Sequence, residues 1–168
     1  SSVLDRLDYL HKTDKNIIDE IFETAKKNSC LINYPEDVLV GKSIDDKAKI
    51  KELSEVSNDD LILDIGPKTI KKIKDIIERS ETILWNGPAG YFENPNFANG
   101  CYEITKKIIE KKEKNQIYSI AGGGDTIAVL NQMNAVDNFN FVSTAGGAFL
   151  EYLEGKELPG IKALNQNV

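Results

Sequence analysis

The chain of 168 residues has two cysteines and one histidine, which leaves little material for several kinds of site. Cys30 and Cys101 lie far apart without a Cys-x-x-Cys spacing, and His11 offers the one imidazole, so the sequence argues against a zinc site or a disulfide framework. We expect both thiols to be buried or inert. A single histidine also argues against serine or cysteine triads, because such nucleophiles need a positioned base.

Positive charge and long apolar runs are also scarce. The chain has 21 lysines and arginines and 27 aspartates and glutamates, which gives a net charge of −6. This balance argues against a nucleic-acid partner and against a polybasic membrane surface. No apolar run approaches the roughly 18 residues that span a bilayer, and no basic segment precedes one. We therefore expect a cytoplasmic protein without a membrane partner.

The overall composition is that of an ordinary globular protein. Hydrophobic residues make up 40% of the chain and charged residues 29%, which disfavours disorder, collagen and coiled coils. At roughly 150 residues per domain, the length allows one domain or a piece of a larger one.

The first third of the chain predicts one helix and two short strand-like runs. Helical spacing predicts an amphipathic helix over residues 14–27. Its apolar face comprises Ile17, Ile18, Ile21, Phe22 and Ala25. Strand-like runs follow at residues 31–34 and 38–40. The polar stretch 41–60 is interpreted as a surface excursion with a helical turn near residues 47–53.

Beyond residue 60, short apolar runs alternate with helical patterns. The runs cover residues 61–65, 82–85, 117–121 and 140–143, and the helical patterns cover residues 69–78, 95–112, 125–132 and 147–153. The runs are nearly all apolar rather than alternating, which predicts strands buried on both faces. The sequence therefore predicts an α/β fold with a doubly wound parallel sheet and helices on both faces, a Rossmann-like three-layer arrangement.

Three glycine-containing loops follow the predicted strands, at residues 86–93, 122–126 and 145–148. Ligands of open parallel sheets bind beyond the carboxyl ends of the strands. Glycines there let the backbone approach a ligand and leave helix N-terminal N–H groups facing an anion, for which phosphate is the natural guest. The alternative is that the glycines serve the tight turns alone. A dinucleotide-binding fingerprint is absent, because Ile127 occupies the third glycine place.

Five side chains in these loops could carry chemistry, and each also has a structural interpretation. Asp125 could cap a helix or bind Mg²⁺. Thr126 could contact a phosphate oxygen or complete the first helical turn. Asn86 suits a sugar hydroxyl or its own turn, and Glu93 suits a ribose hydroxyl or the solvent. Tyr91 could line a base pocket or pack between helix and sheet.

Several separate segments, taken in order, resemble the phosphoglycerate kinase family. They are Asp-Ile-Gly-Pro-Lys-Thr-Ile at 64–70, Leu-Trp-Asn-Gly-Pro at 84–88, Gly-Gly-Gly-Asp-Thr at 122–126, Ser-Thr-Ala-Gly-Gly-Ala at 143–148 and Leu-Glu-Gly-Lys-Glu-Leu-Pro-Gly at 153–160. The resemblance is firm over residues 61–164 and looser before them.

The resemblance implies that residues 1–168 are part of the C-terminal, nucleotide-binding domain of a two-domain kinase, incomplete at its N-terminal side and without the substrate-binding N-terminal domain. The implied glycolytic reaction transfers a phosphoryl group between 1,3-bisphosphoglycerate and Mg-ADP, which gives 3-phosphoglycerate and Mg-ATP. The alternative is a non-catalytic nucleotide-binding fragment. Full-length members of the family are typically monomeric.

The resemblance also implies roles for individual residues in binding ADP or ATP and Mg²⁺. The nucleoside would be held by Leu63 and Tyr91 at the adenine and by Asn86 and Glu93 at the ribose. The phosphates would be held by Gly123, Gly124 and Thr126, with Asp125 on Mg²⁺. The loop with Gly146 and Gly147 would stabilise the phosphoryl group during transfer.

The same resemblance implies that important parts lie elsewhere. The family's phosphate-contacting lysines and its catalytic arginine belong to segments absent from this chain, so we expect the isolated fragment to be inactive. Ala145 replaces the first glycine of the family's usual run of three. A sheet without its early strands would have an unpaired edge and uncovered apolar surface. We therefore expect the chain to aggregate, to be seen with portions of the chain missing, or to pair with a complementary fragment.

Overall fold

The structure, a computed structural model, describes residues 12–165, and it describes side chains from residue 16 onward. The strands are β1 (Asp37–Gly41), β2 (Lys49–Glu52), β3 (Leu61–Ile65), β4 (Thr82–Asn86), β5 (Tyr118–Gly122) and β6 (Phe141–Ser143). The α-helices are α1 (Lys12–Lys27), α2 (Pro67–Arg79), α3 (Asn99–Glu113), α4 (Gly124–Gln132), α5 (Gly146–Leu153) and α6 (Pro159–Asn165). His11 lies outside the described residues.

The strands form two three-stranded sheets. One sheet is parallel, with the order β4-β5-β6, and each of its strands is followed by a helix. The other is antiparallel, with the order β2-β1-β3. The predicted α/β fold with a parallel sheet and helices is thus confirmed.

The antiparallel sheet corrects three predictions from the sequence. Residues 61–65 form a strand, but that strand pairs antiparallel with β1 instead of joining the parallel sheet. Residues 41–60 contain β2 and a short 3-10 helix, Leu53–Glu55, where a surface excursion was expected. Residues 31–34 form no strand. Short apolar runs carry no information about strand direction, because direction depends on a distant partner.

The core lies between the parallel sheet and helices α2, α3 and α4. Its members are buried apolar side chains of β4, β5, α2, α3 and α4, including Trp85, Ala121, Ile77, Cys101, Ile108, Val129 and Leu130. Cys30, by contrast, is exposed. The helix predicted over 95–112 is divided into a 3-10 turn, Pro95–Phe97, and α3, and Asn94 caps the turn by accepting a hydrogen bond from the Asn96 amide at 2.9 Å.

Two helix termini are held by charged side chains from distant elements. The Asp37 carboxylate of β1 accepts hydrogen bonds from the Lys68 amide (3.0 Å) and the Thr69 amide (2.8 Å) at the start of α2. At the other end of α2, the buried Lys111 of α3 donates to the carbonyls of Ile77 (3.1 Å) and Ser80 (2.8 Å). Since orphan N–H and C=O groups at helix ends need partners, these two side chains fix α2 at both ends.

Apolar surface remains uncovered on two elements. Ile17 and Ile21 of α1 are each 51% exposed, although the predicted helix itself is present. On the parallel sheet, Leu84, Ile120 and Phe141 pair across the three strands and therefore share one face. Phe141 is 51% exposed and Leu84 is 37% exposed, so this sheet face is only partly covered by the described residues. Within residues 12–165, no helix is long and apolar enough to cross a membrane.

Replacing Asp37 by asparagine is expected to lower the free energy of unfolding by about 1–3 kcal/mol at neutral pH. Burial opposes the charge of Asp37, but hydrogen bonds from Lys68 and Thr69 outweigh burial and hold the pKa of Asp37 below its usual range. Such a carboxylate stabilises the fold above its unfolded pKa and stops doing so as the pH falls through its folded pKa.

The difference between wild type and Asp37→Asn should therefore shrink below about pH 4. Urea denaturation at several pH values measures it. Asp45→Asn is the control, because Asp45 is exposed and should change stability little at any pH. A cost of Asp37→Asn that is equal at pH 7 and pH 3 would contradict this account.

The partly covered sheet face predicts self-association of the isolated chain. Replacing Phe141 by threonine keeps a good strand former but removes exposed apolar surface, so it should shift the chain toward monomer. Sedimentation velocity over a range of concentrations measures this shift. Ile44→Thr is the matched control, because Ile44 is 43% exposed in a loop outside the sheet. Monomeric wild type at all concentrations, or equal effects of both variants, would refute the role of this face.

Candidate functional site

A cavity of 260 Å³ lies between β3 and the loop that follows β4. It is lined by Pro35, Val38, Ile62, Leu63, Asp64, Ile65, Pro88, Ala89, Gly90 and Tyr91. Leu63 and Tyr91, predicted to lie at the adenine, are thus brought together. The Tyr91 amide donates a hydrogen bond of 2.7 Å to the Leu63 carbonyl, which fixes the loop against the strand. This cavity is small and mostly apolar, which suits the flat, largely apolar faces of a base.

The loop after β4 is held by contacts of its own. The Trp85 indole donates to the Gly87 carbonyl at 2.7 Å, and the Ala89 amide donates to the Cys101 sulfur at 3.2 Å. Gly87 has φ of +97°, a left-handed conformation that favours glycine. Glu93, at the end of this loop, is exposed to solvent.

The glycine loop after β5 turns directly into α4. Gly123 has φ of +91° and precedes the helix, which begins at Gly124. The first-turn N–H groups of α4, those of Asp125 and Thr126 among them, have no partner within the helix and give its N-terminus partial positive charge. The Asp125 side chain is exposed in this first turn.

Thr126 is fully buried and joins two of the loops. Its hydroxyl accepts a hydrogen bond of 2.7 Å from the Gly87 amide. The side chain therefore holds the loop after β4 against the start of α4. The contact of Thr126 with a phosphate stays a prediction. Because the hydroxyl is bonded to the Gly87 amide, the backbone N–H of Thr126 is the group that would make this contact.

The glycine loop after β6 touches the glycine loop after β5. A β-carbon on Gly146 would lie 2.9 Å from the Cα of Gly123, closer than side chains normally approach. The Gly123 amide also donates to the Ser143 carbonyl at 3.3 Å. Gly147 faces open space, and Ala145 has an ordinary φ of −89° that requires no glycine. The N-termini of α4 and α5 therefore lie side by side.

Asn86 supplies an unused hydrogen-bond donor beside these loops. Its Nδ2 atom is buried. Among the buried side-chain nitrogen and oxygen atoms of the described residues, it alone lacks a hydrogen-bond partner. It lies close to Gly122 and Gly123, where added β-carbons would be 3.2–3.3 Å from its amide group. Because buried donors are normally satisfied, this atom indicates a ligand with an acceptor oxygen.

The three loops contain acids but no lysine or arginine. Lysines gather elsewhere: Lys42 and Lys51 line a separate cavity of 360 Å³ and pair with Asp60 at 3.1 Å and 2.6 Å. Among the described residues, no group of three or more potential protein ligands could hold a metal alone. Mg²⁺ commonly uses one or two carboxylates together with phosphate oxygens, and the exposed Asp125 fits that use.

The structure brings the predicted residues near one another, but part of the cavity lining was not predicted. All ten predicted residues lie at β3 or on the three loops, and the structure joins the loops through the contacts at Thr126 and Gly146. Pro35 and Val38 were not foreseen, because they reach the cavity only through the pairing of β1 with β3. No separate role was predicted for Asp64, although a carboxylate within the apolar run 61–65 was visible in the sequence.

Known proteins are similar in sequence to this chain. The family profile described as phosphoglycerate kinase matches residues 6–156. Phosphoglycerate kinase of Zymomonas mobilis is 43% identical over 152 residues, which make up 89% of this chain and 38% of that protein. Phosphoglycerate kinase of Caulobacter vibrioides is 45% identical over 147 residues, or 86% of this chain and 37% of that protein. The chain thus spans about 38% of the length of these curated relatives.

Solved structures share the fold as well. Phosphoglycerate kinase from Coxiella burnetii superimposes with a TM-score of 0.82 at 38% identity, covering 94% of this chain and 40% of that one. Phosphoglycerate kinase from Pyrococcus horikoshii OT3 gives a TM-score of 0.70 at 29% identity, covering 91% of this chain and 38% of that one.

Two neighbouring glycines provide a test of the loop contact. Gly146→Ala should lower the free energy of unfolding by about 1–3 kcal/mol, because its methyl group meets the Gly123 backbone. Gly147→Ala should leave it unchanged or raise it by about 0.5 kcal/mol, because that methyl group points into open space within a helix. Urea denaturation of both variants measures the difference. Equal stabilities would show that the loops are not in contact.

Proposed function

Because this chain belongs to the phosphoglycerate kinase family, we propose that it supplies most of the nucleotide site for phosphoryl transfer between 1,3-bisphosphoglycerate and Mg-ADP. The products are 3-phosphoglycerate and Mg-ATP. The family is one of glycolytic kinases, which use ADP and ATP, and the proposal places the protein in the cytoplasm. The observation that carries it is the pairing of two glycine-formed helix N-termini beside the unsatisfied Asn86 amide.

The proposal assigns this chain to the C-terminal, nucleotide-binding domain of a two-domain kinase. Its length, about 38% of the relatives, supports a partial domain, with the phosphoglycerate site on the other domain of the longer protein. That longer protein would act as a monomer. Neither nucleic acid nor a membrane is among the proposed partners.

The proposed roles follow the geometry from the cavity to the loops. The base would lie in the 260 Å³ cavity between Leu63 and Tyr91, with the ribose toward Asn86 and Glu93. The phosphates would lie at the N–H groups of Gly123, Gly124 and Thr126, and the transferring phosphoryl group at Gly146 and Gly147. Asp125 would be the protein ligand of Mg²⁺.

Phosphoryl transfer mainly requires alignment and neutralisation of spread negative charge. The N–H dipoles at the starts of α4 and α5 would point toward that charge, and they need no rearrangement during the reaction. Bound Mg²⁺ would supply a compensating charge on the phosphate oxygens. Thr126 contributes by fixing the loop after β4, so that the base cavity and the phosphate loops keep one relative position.

A non-catalytic nucleotide-binding fragment is the second candidate. It is favoured by one specific observation, the absence of lysine and arginine from the three loops. Without fixed cations, part of the negative charge of the transition state would stay uncompensated. A coupled assay of ATP-dependent phosphorylation of 3-phosphoglycerate separates the candidates for this chain: turnover by the 168-residue chain alone would rule out the second one.

Replacing Asp125 by asparagine is expected to weaken Mg-ADP binding about tenfold while leaving binding of metal-free ADP unchanged or slightly stronger. The reason is that the change removes a metal ligand and also a negative charge near the phosphates. Calorimetric titration with ADP, with and without Mg²⁺, measures both affinities.

Asp137→Asn is the matched control, because Asp137 is an exposed acid shortly after α4 and outside the proposed site. It should change neither affinity. If Mg²⁺ strengthens ADP binding equally in wild type and Asp125→Asn, the metal assignment is wrong. If wild type binds no ADP in either condition, the proposed nucleotide site of this chain is wrong.

A further inference from the structure

Asp64 is a buried carboxylate at the back of the 260 Å³ cavity, next to Leu63 in β3. It is 1% exposed. Its Oδ2 atom accepts a hydrogen bond of 2.9 Å from the Gly100 amide at the start of α3, and its Oδ1 atom accepts one of 2.8 Å from the Ile65 amide. No lysine or arginine of the described residues forms an ion pair with it. The carboxylate thus depends on backbone N–H groups alone.

Two glycines make room for this carboxylate. A β-carbon on Gly90 would lie 2.6 Å from Asp64 Cγ, and one on Gly100 would also collide with the Asp64 side chain. Neither glycine has a positive φ, so space and not backbone conformation requires glycine there. The Asp64 side chain of β3 therefore packs against both the start of α3 and the loop after β4.

Asp64 is connected to Tyr91 through one residue. Gly90 packs directly against the Asp64 carboxylate, and the next residue, Tyr91, donates its amide hydrogen to the Leu63 carbonyl at 2.7 Å. Leu63, Asp64, Gly90 and Tyr91 all line the cavity. The position of the Asp64 side chain therefore limits how closely Gly90, and with it Tyr91, approaches β3.

We propose that Asp64 is a positioning residue for the nucleoside, whose carboxylate holds Gly90 and Tyr91 in place against Leu63 and thereby sets the fit of the base. This inference rests on the proposed function, since it takes the cavity to hold the base of ADP. The phosphate loops at Gly123 and Gly146 make no contact with Asp64. A change at Asp64 should therefore weaken binding of the base and leave binding of the phosphates unchanged.

The test compares two ligands on the 168-residue chain, Mg-ADP and inorganic Mg-tripolyphosphate, which lacks a base. Asp64→Asn keeps the size of the side chain but replaces an acceptor oxygen with an NH₂ group that cannot accept a hydrogen bond. We expect Mg-ADP affinity to fall about tenfold or more, and Mg-tripolyphosphate affinity to stay within about twofold. Gly90→Ala, which pushes the loop away from an intact Asp64, should give the same pattern.

Lys111→Met is the control for a merely structural loss, because Lys111 is also buried and caps the C-terminal end of α2 without lining the cavity. It should lower the melting temperature and leave the ratio of the two affinities unchanged. Equal losses of both ligands in Asp64→Asn, or no loss of either, would overturn the proposal. So would a wild type that binds Mg-tripolyphosphate as tightly as Mg-ADP.

Hydrogen exchange without ligand separates this inference from the proposed function. In Asp64→Asn the Tyr91 amide should exchange at least about tenfold faster, because its loop is released from β3, whereas Lys111→Met should leave it protected. If wild type binds neither ligand, the proposed function fails, and the Tyr91 exchange rate still decides whether Asp64 positions the loop. Unchanged Tyr91 protection would overturn the positioning role.

Discussion

The site depends on one close backbone contact, that between Gly123 and Gly146. Only residues without a β-carbon allow the loops after β5 and β6 to approach so closely. The contact places the N-termini of α4 and α5 beside each other, so their unpaired N–H groups act on the same volume. In an acidic protein with a net charge of −6, such local donors can hold an anion against the overall charge.

A second constraint joins this anion-binding half to the apolar cavity. Thr126 accepts the Gly87 amide, and Trp85 holds the Gly87 carbonyl, so the loop after β4 is fixed from both sides. Asn86, at the end of strand β4, has its buried and unpaired Nδ2 atom beside Gly122 and Gly123. A ligand that has an apolar end, a middle rich in oxygen and an anionic tail satisfies all three environments together. A nucleoside diphosphate is such a ligand.

The sequence predicted the parts that depend on local chemistry. Glycines after apolar runs marked the turns at Gly123 and Gly146, and the β,α alternation after residue 80 marked the parallel sheet. It could not predict that β3 pairs antiparallel with β1, because the run 61–65 looks the same in either sheet. The wall formed by Pro35 and Val38 depends on that long-range pairing. The fixed cations that the proposed reaction would need could not be located either, since no loop of the described site contains one.

The two buried aspartates show why stability alone does not explain Asp64. Both accept backbone amides at a helix start, yet their pKa values move in opposite directions. At Asp37 the hydrogen bonds from Lys68 and Thr69, the Thr69 hydroxyl included, outweigh burial and lower the pKa. At Asp64 burial outweighs the hydrogen bonds from Gly100, Ile65 and Asn99 and raises the pKa.

A raised pKa means that the folded state disfavours the charged carboxylate relative to the unfolded chain. Above the folded pKa, ionised Asp64 therefore lowers the stability of the fold, whereas Asp37 raises it above its unfolded pKa. A buried carboxylate whose charge the fold disfavours, and which packs against Gly90 beside the cavity, is more consistent with a role in the site than with a role in the core.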